Sequence, residues 1–274
     1  MLIRRFGRFL LFAGLLMGFS SQAQNGRPAP AGARGIGMGQ VSLAFNDIYT
    51  AFGHQAGLAN LESFSAAAFG ERRFELSELG NYSAALAYPT NSGVLALNFS
   101  TFGFDAYQEQ RVGLAYARKL MEQLNIGLQI NYLNTRISEY GSNNLFTFEL
   151  SFQSQLSRSF SISGHLYSPI RVEVTPDEDL PTIFKIGFAY RPSDKLLLAG
   201  EVLKQIDLAA SARAGLEYSI YEAFFLRLGI RTQPTQPSFG FGYAWGNGLK
   251  VDIASSYHAM LGFSPAFGMA FELN

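Results

Sequence analysis

The 274-residue sequence contains no cysteine, which excludes a disulfide scaffold, a thiol nucleophile and any thiolate metal centre. It has a single tryptophan, and charged residues make up only 15% of it, where about a quarter is usual in soluble proteins. Neither sign of charge is in excess. Lys+Arg and Asp+Glu number 21 each, so the basic surplus of a nucleic-acid binder is missing and no nucleic-acid partner is expected. Mean hydropathy is +0.08, too low for a bundle of transmembrane helices. What the chain does hold is aromatic and small residues: 25 Phe, 13 Tyr and 28 Gly.

Residues 1–23 read as a secretory signal peptide. Arg4, Arg5 and Arg8 form its positive end, Phe9 to Phe19 its apolar core, and Ser21-Gln22-Ala23 its small-residue cleavage site. That core is too short to span the roughly 30 Å of a bilayer as a helix. Its removal takes three arginines and no acid, leaving 18 basic and 21 acidic residues from the two sets of 21.

From residue 63 onward the pattern alternates, the mark of strands with two unlike faces. In Leu124-Asn125-Ile126-Gly127-Leu128-Gln129-Ile130-Asn131-Tyr132 one face is wholly apolar and the other carries amides and glycine. Phe146, Phe148, Leu150 and Phe152 oppose Thr147, Glu149, Ser151 and Gln153 in the same way. Fourteen such segments are expected, near 64–74, 81–89, 93–102, 108–118, 123–137, 143–155, 158–172, 181–191, 195–206, 210–219, 222–232, 236–246, 248–257 and 263–273. Most have the roughly 9–11 residues that a tilted strand needs to cross a membrane. The expected fold class is all-β, a 14-stranded antiparallel transmembrane β-barrel over 63–274. A soluble β-sandwich also alternates, but it exposes its polar face; here the apolar face needs lipid as its partner.

The connections follow the same parity. One set is short: 90–92, 119–122, 156–157, 192–194, 220–221 and Asn247. The opposite set, 75–80, 103–107, 138–142, 173–180 and 258–262, is mostly longer and more polar. An even strand count with short turns on one side is the arrangement of bacterial outer-membrane barrels, whose short turns are periplasmic. The expected location is therefore the outer membrane of a Gram-negative bacterium, in contact with its lipid.

Residues 24–62 do not alternate. A linker at 24–30 leads into the glycine-rich run Gly32-Ala33-Arg34-Gly35-Ile36-Gly37-Met38-Gly39, which is no dinucleotide fingerprint because no strand precedes it and no βαβ unit follows. Val41 to Asp47 and Ala56 to Asn60 read as short helical turns. The glycine-rich run, then Asn46-Asp47, then Ala56-Gly57-Leu58-Ala59, resembles the N-terminal hatch of FadL-like outer-membrane barrels, closest in appearance to the PorV/PorQ branch of Bacteroidota. Where that family usually reads Asn-Pro-Ala, this chain has His54-Gln55-Ala56. The resemblance implies a fourteen-stranded barrel with a short N-terminal hatch in its lumen. The hatch residues it implies are Gly35, Gly37, Gly39, Asn46, Asp47, Gly57 and Leu58.

Inward positions follow from the alternation. On strands one, two, four, twelve and fourteen they are mostly small: Ala67, Ala85, Ala87, Gly113, Ala115, Ala117, Gly240, Gly242, Ala244, Gly268 and Ala270. Such a wall leaves room for a hatch, with Val41, Leu43, Phe45 and Leu58 as its expected contacts, or merely eases strand curvature. The opposite wall is charged: Glu149, Lys185, Glu201, Arg213, Glu217, Arg227, Arg231, Lys250 and Asp252. Arg or Lys on a lipid face costs about 2–4 kcal/mol at mid-depth, so these residues are placed in the lumen, where they brace a plug or line a polar path.

No catalytic constellation is legible. Ser256 and His258 share a face, but that face turns inward and no acid orients them. His54, His165 and His258 are too dispersed for a metal site, and no cofactor is expected. The resemblance implies a plugged barrel that passes small hydrophobic molecules across the outer membrane. Its alternative is a non-transporting accessory barrel, bound to a larger outer-membrane protein of a secretion or assembly complex.

Overall fold

A computed structural model describes residues 26, 28–175, 178–206 and 208–273. The expected signal peptide, and residues 24, 25 and 27 of the linker, lie outside the described residues. Among the described residues no helix is long and apolar enough to cross a membrane.

Fourteen strands close into one antiparallel barrel in which each pairs with its sequence neighbours. They are β1 (Ser65–Arg72), β2 (Gly80–Thr90), β3 (Gly93–Phe104), β4 (Tyr107–Met121) and β5 (Leu124–Ile137). Next come β6 (Gly141–Gln155), β7 (Phe160–Tyr167), β8 (Ile183–Ser193), β9 (Leu196–Gln205) and β10 (Ser211–Tyr221). The wall ends with β11 (Phe224–Arg231), β12 (Gln236–Ala244), β13 (Leu249–His258) and β14 (Gly262–Glu272). β14 returns to β1 with Ser65 opposite Glu272 and Glu71 opposite Ala266, so no edge strand is left unpaired.

The alternation decides which face points where. In β5, Ile126, Leu128 and Ile130 stand outward, 38%, 43% and 55% exposed, while Gln129 and Asn131 are buried. In β12, Phe239 and Phe241 point out and Gly240 and Gly242 point in. Apolar outside and polar inside inverts a soluble protein, and it is the arrangement a lipid surround stabilises.

Two strands stop short of the sequence expectation where the backbone turns away. β7 stops at Tyr167 rather than running to 172, because Ser168 turns to φ 48 and Pro169 has no amide to continue the ladder. The chain then leaves the wall through a small hairpin, Glu173–Thr175 with Glu178–Asp179, before β8 begins. β1 stops at Arg72, where Phe74 and Glu75 both take positive φ and two short 3-10 turns follow. The connection expected at 103–107 tightens to residues 105–106, as β3 and β4 pair out to Phe104 and Tyr107. The end that carries these connections is called the loop end below. The other, bearing 91–92, 122–123, 156–159, 194–195, 222–223 and 245–248, is the turn end.

Residues 28–62 pack against the inward-facing side chains. Helix α1 (Gly32–Gly37) contacts β12, β13, β14 and β1, and 3-10 turns follow at Ile48–Phe52 and Gln55–Asn60. A helix in a glycine-rich run is contrary to propensity, and close packing overrides it: a Cβ on Gly37 would lie 3.1 Å from Gly240 Cα. The helical turn expected over Val41–Asp47 does not form. Asp47 instead caps the next turn, its side chain accepting the Tyr49 amide at 3.0 Å, so helical geometry starts after it.

Candidate functional site

The small-residue wall is filled, though not by all the expected side chains. Tyr49, Ala51, Phe52 and Leu58 form one buried cluster with Ala67, Ala85, Ala87, Ala115, Ala117 and Ala270. Ile36 and Ala33 lie on Ala254 and Ala266. Val41 and Phe45, by contrast, pack on the other side against Ala189, Leu197 and Ala199, and Leu43 approaches Gly187. Of the four expected contacts, only Leu58 meets the small-residue wall. The wall is also wider than expected, since Ala96, Ala254 and Ala266 extend it.

Of the other residues expected in a hatch, Gly39 and Asn46 meet the wall, whereas Gly35 and Gly57 face the segment's own atoms. Gly39 has φ +73, and a Cβ there would come within 2.7 Å of Ala214 O and of the Ile230 backbone. Gly35 lies within α1, and Gly57 within the second 3-10 turn. Asn46 accepts a hydrogen bond from Gln153 Nε2 at 2.8 Å.

Three polar clusters tie the segment to the charged wall. The first is a ladder of ion pairs at the turn end. Arg34 donates to Asp47 at 2.6 Å and, through Nε, to Glu217 at 2.8 Å. Arg227 donates to Glu217 and to Asp252, each at 2.6 Å. Arg34 also lies over the Phe45 ring, 4.5 Å from its centroid. Burial works against the Arg34 charge, but Glu217 and Asp47 outweigh it and hold its pKa above the ordinary value.

The second cluster surrounds Glu201. Its Oε2 accepts from the Ser42 amide at 2.7 Å and the Leu43 amide at 3.1 Å, while Arg213 donates to Oε1 at 3.1 Å. Lys185 donates to Ser42 Oγ at 3.1 Å, and Arg213 and Arg231 reach Gln40. The third cluster centres on Glu149, which is fully buried among neutral amides and a histidine. Asn131 and Gln129 donate to Oε1; Gln55 donates to Oε2, and His165 Nε2 lies 2.7 Å from it. His54, adjacent to Gln55, is buried with both ring nitrogens unpaired. Burial, then the nearby His165 and Lys185, pushes its pKa down to about 3.

Eight of the nine expected luminal charges enter these clusters. Lys250 is the exception: it is exposed, forms no ion pair with a described residue, and lines the turn-end cavity beside Asp252 and Glu272. Arg34 is not singled out by its sequence context, a run notable for its glycines. Nor is the grip on Gly26, where Glu109 accepts the amide at 3.1 Å and both Arg111 and Tyr167 donate to the carbonyl at 2.6 Å. The inward alternation of Glu109 and Arg111 was the available signal. His258 is engaged locally, its Nδ1 accepting the amides of Met260 and Leu261, and no group suited to a metal ion is found among the described residues.

Two cavities flank the segment. One of about 190 Å³ lies at the turn end beside Arg34, Asp47, Tyr49 and Lys250. The other, of about 280 Å³, lies at the loop end between Pro28–Ala31, Gln40 and Ser42 on one side and Ile183, Leu203 and Arg213 on the other.

No protein-family model matches the chain, and no curated protein matches its sequence. Solved structures do match its fold. The toluene transporter TodX of P. putida superposes with a TM-score of 0.71 at 9% identity, covering 90% of this chain and 100% of that one. The toluene transporter TbuX of Ralstonia pickettii gives 0.69 at 11% identity, covering 89% and 98%. A Pseudomonas aeruginosa FadL homologue gives 0.68 at 12%, covering 90% and 99%. These matches are transporters and a FadL homologue, not enzymes. At such identities they establish the fold alone: this chain forms the same kind of closed barrel as those proteins.

Proposed function

We propose that the protein is an outer-membrane barrel through which small hydrophobic molecules pass, and that residues 28–62 are its hatch. In this reading the chain is exported by the signal peptide 1–23 and matures near Gln24. The observation that carries the proposal is how the segment is held. It packs inside the lumen, and beside its apolar contacts with the alanine wall it is attached through carboxylates, guanidinium groups and amides on opposite partners. Such contacts are exchangeable for water at modest net cost, unlike a continuous apolar core. The loop-end cavity of about 280 Å³, walled in part by Pro28, Pro30, Ile183 and Leu203, suits a small ligand on its way to the hatch. TodX and TbuX, with the same architecture, are described as toluene transporters, which supports a hydrophobic cargo here.

The accessory reading, a PorV/PorQ-like barrel bound to a larger outer-membrane protein, is favoured by one feature. Several loop-end connections are only two or three residues long, as at 105–106, 138–140 and 259–261, leaving little chain for capturing ligand from outside. Planar-bilayer recording separates the two. The intact protein should be closed to ions, and a variant lacking residues 26–60 should insert and conduct. Uptake of a hydrophobic dye by vesicles bearing the intact protein supports passage. A deletion variant that stays closed, together with a stoichiometric large partner in mild detergent, overturns it in favour of the accessory role.

A further inference from the structure

Three side chains from β4 and β7 converge on one peptide unit, that of Gly26. Glu109 Oε2 accepts its amide at 3.1 Å, while Arg111 Nη2 and the Tyr167 hydroxyl both donate to its carbonyl at 2.6 Å. Arg111 and Tyr167 brace each other, with Nη2 3.2 Å from the hydroxyl and the guanidinium carbon 5.1 Å from the ring centroid. Arg111 is 5% exposed, and its Nε is buried without a partner, so the fork holds a donor that the glycine leaves unused.

One side of this clamp is apolar. Tyr167 belongs to a buried cluster with Leu133, Leu180 and Ile183, against which Leu203 packs. Ile183 and Leu203 also line the loop-end cavity of about 280 Å³. Ala29 lines both that cavity and a narrow one that reaches Glu109 and Arg111. A molecule in the loop-end cavity therefore lies beside the clamp, on apolar surface continuous with it. The seat admits a glycine and nothing larger: φ is +61, and a Cβ would collide with Leu180 Cδ1.

An apolar wall with a few placed polar groups is the usual build of a small-molecule site. Here those groups are two donors for a carbonyl and one acceptor for the N–H beside it, the complement of a secondary amide. A hydrocarbon offers them nothing, an ester serves only the donors, and a carboxylate brings a like charge to Glu109. A site built on buried hydrogen-bonding groups rejects analogues that leave those groups unpaired.

We infer that the Gly26 peptide unit stands in for the amide of a ligand, a secondary amide of an apolar acid that enters by the loop-end cavity and displaces it. This rests on the passage reading for the route alone. The test is titration of the intact protein in neutral detergent with N-methylhexanamide, methyl hexanoate, sodium hexanoate and toluene, read by calorimetry and by hydrogen exchange at the Gly26 amide. The amide should bind at one saturable site and raise that exchange. The other three should bind about tenfold more weakly or worse, as the loss of one hydrogen bond to a buried partner requires. Gly26→Ala removes the internal competitor, leaves the clamp whole and should tighten amide binding. Glu109→Leu should abolish the preference for amide over ester. Absence of saturable amide binding in both the native protein and Gly26→Ala overturns the site, and so does equal affinity for amide, ester and toluene. Dye uptake without amide binding overturns the clamp and leaves passage standing. Amide binding without dye uptake supports the clamp and overturns passage.

Discussion

Arg34 in the luminal segment and Glu217 in strand β10 are joined side chain to side chain, Nε to Oε2 at 2.8 Å, across 183 residues of sequence. Glu217 is held in turn by Arg227, and Arg227 by Asp252. At this ladder the segment is held through one arginine, whose loss leaves the wall's own pairs in place. Arg34→Gln should weaken seating by about 2–3 kcal/mol, the range for a hydrogen bond between charged groups. Limited proteolysis should then cut within residues 28–62 while the barrel stays folded on unboiled gels. Protection equal to that of the native protein would show that the ladder does not hold the segment.

Gly37 tests the close approach of α1 to the wall. A Cβ there would stand 3.1 Å from Gly240 Cα and 3.4 Å from Ala254 Cβ, so a leucine has nowhere to go without moving the helix. Gly37→Leu should raise hydrogen exchange across residues 32–45 and leave the strand amides protected, because the ladder bonds do not involve the helix. Unchanged exchange would mean the helix is not held against β12.

Leu128 tests the lipid face. It is 43% exposed on the outward row of β5. Leu128→Arg should cost about 2–4 kcal/mol, the range for a basic residue near mid-membrane, or block assembly. Folding titrations into lipid vesicles measure it. An arginine accepted there without cost would displace β5 from the membrane.

His54 gives the seat a pH dependence. Its pKa in the seated segment is pushed down to about 3, against about 6.5 when exposed to water. The unseated state therefore binds more protons, and seating weakens as pH falls below about 6.5 toward 3. At pH 5 the loss should be about 2 kcal/mol, at roughly 1.4 kcal/mol per unit. Bilayer conductance should rise on acidification in the native protein, and His54→Gln should flatten that rise. A native protein equally closed at pH 7 and pH 5 would rule out this titration as a control on the segment.

Much of this was readable from one-dimensional pattern. Ile126, Leu128 and Ile130 alternate with Gly127, Gln129 and Asn131, and a period of two assigns faces without knowledge of any neighbour. Glu217 and Arg227 were placeable as a pair because adjacent antiparallel strands with short turns fix which residues lie opposite, and they do face each other. Other features were not readable in this way. β7 was extended through Ser168-Pro169, where an aromatic and apolar run continued past a residue that cannot donate. Gln129 was assignable inward, but not to the hydrogen bonds it makes with Asn98, Asn131 and Glu149.

By itself the sequence determined the strand count, the inverted faces and the charges placed in the lumen. All of these rest on local periodicity and on the cost of placing charge in lipid. Tertiary structure alone decided what meets what across the lumen. Val41 and Phe45 lie on Ala189 and Ala199, Tyr49 and Leu58 on the alanine wall, and Arg34 reaches Glu217. Those pairings depend on the closure of β1 onto β14 in one register, which sets the width and shape of the interior. A segment without a repeat of its own can then find its contacts only inside the finished barrel.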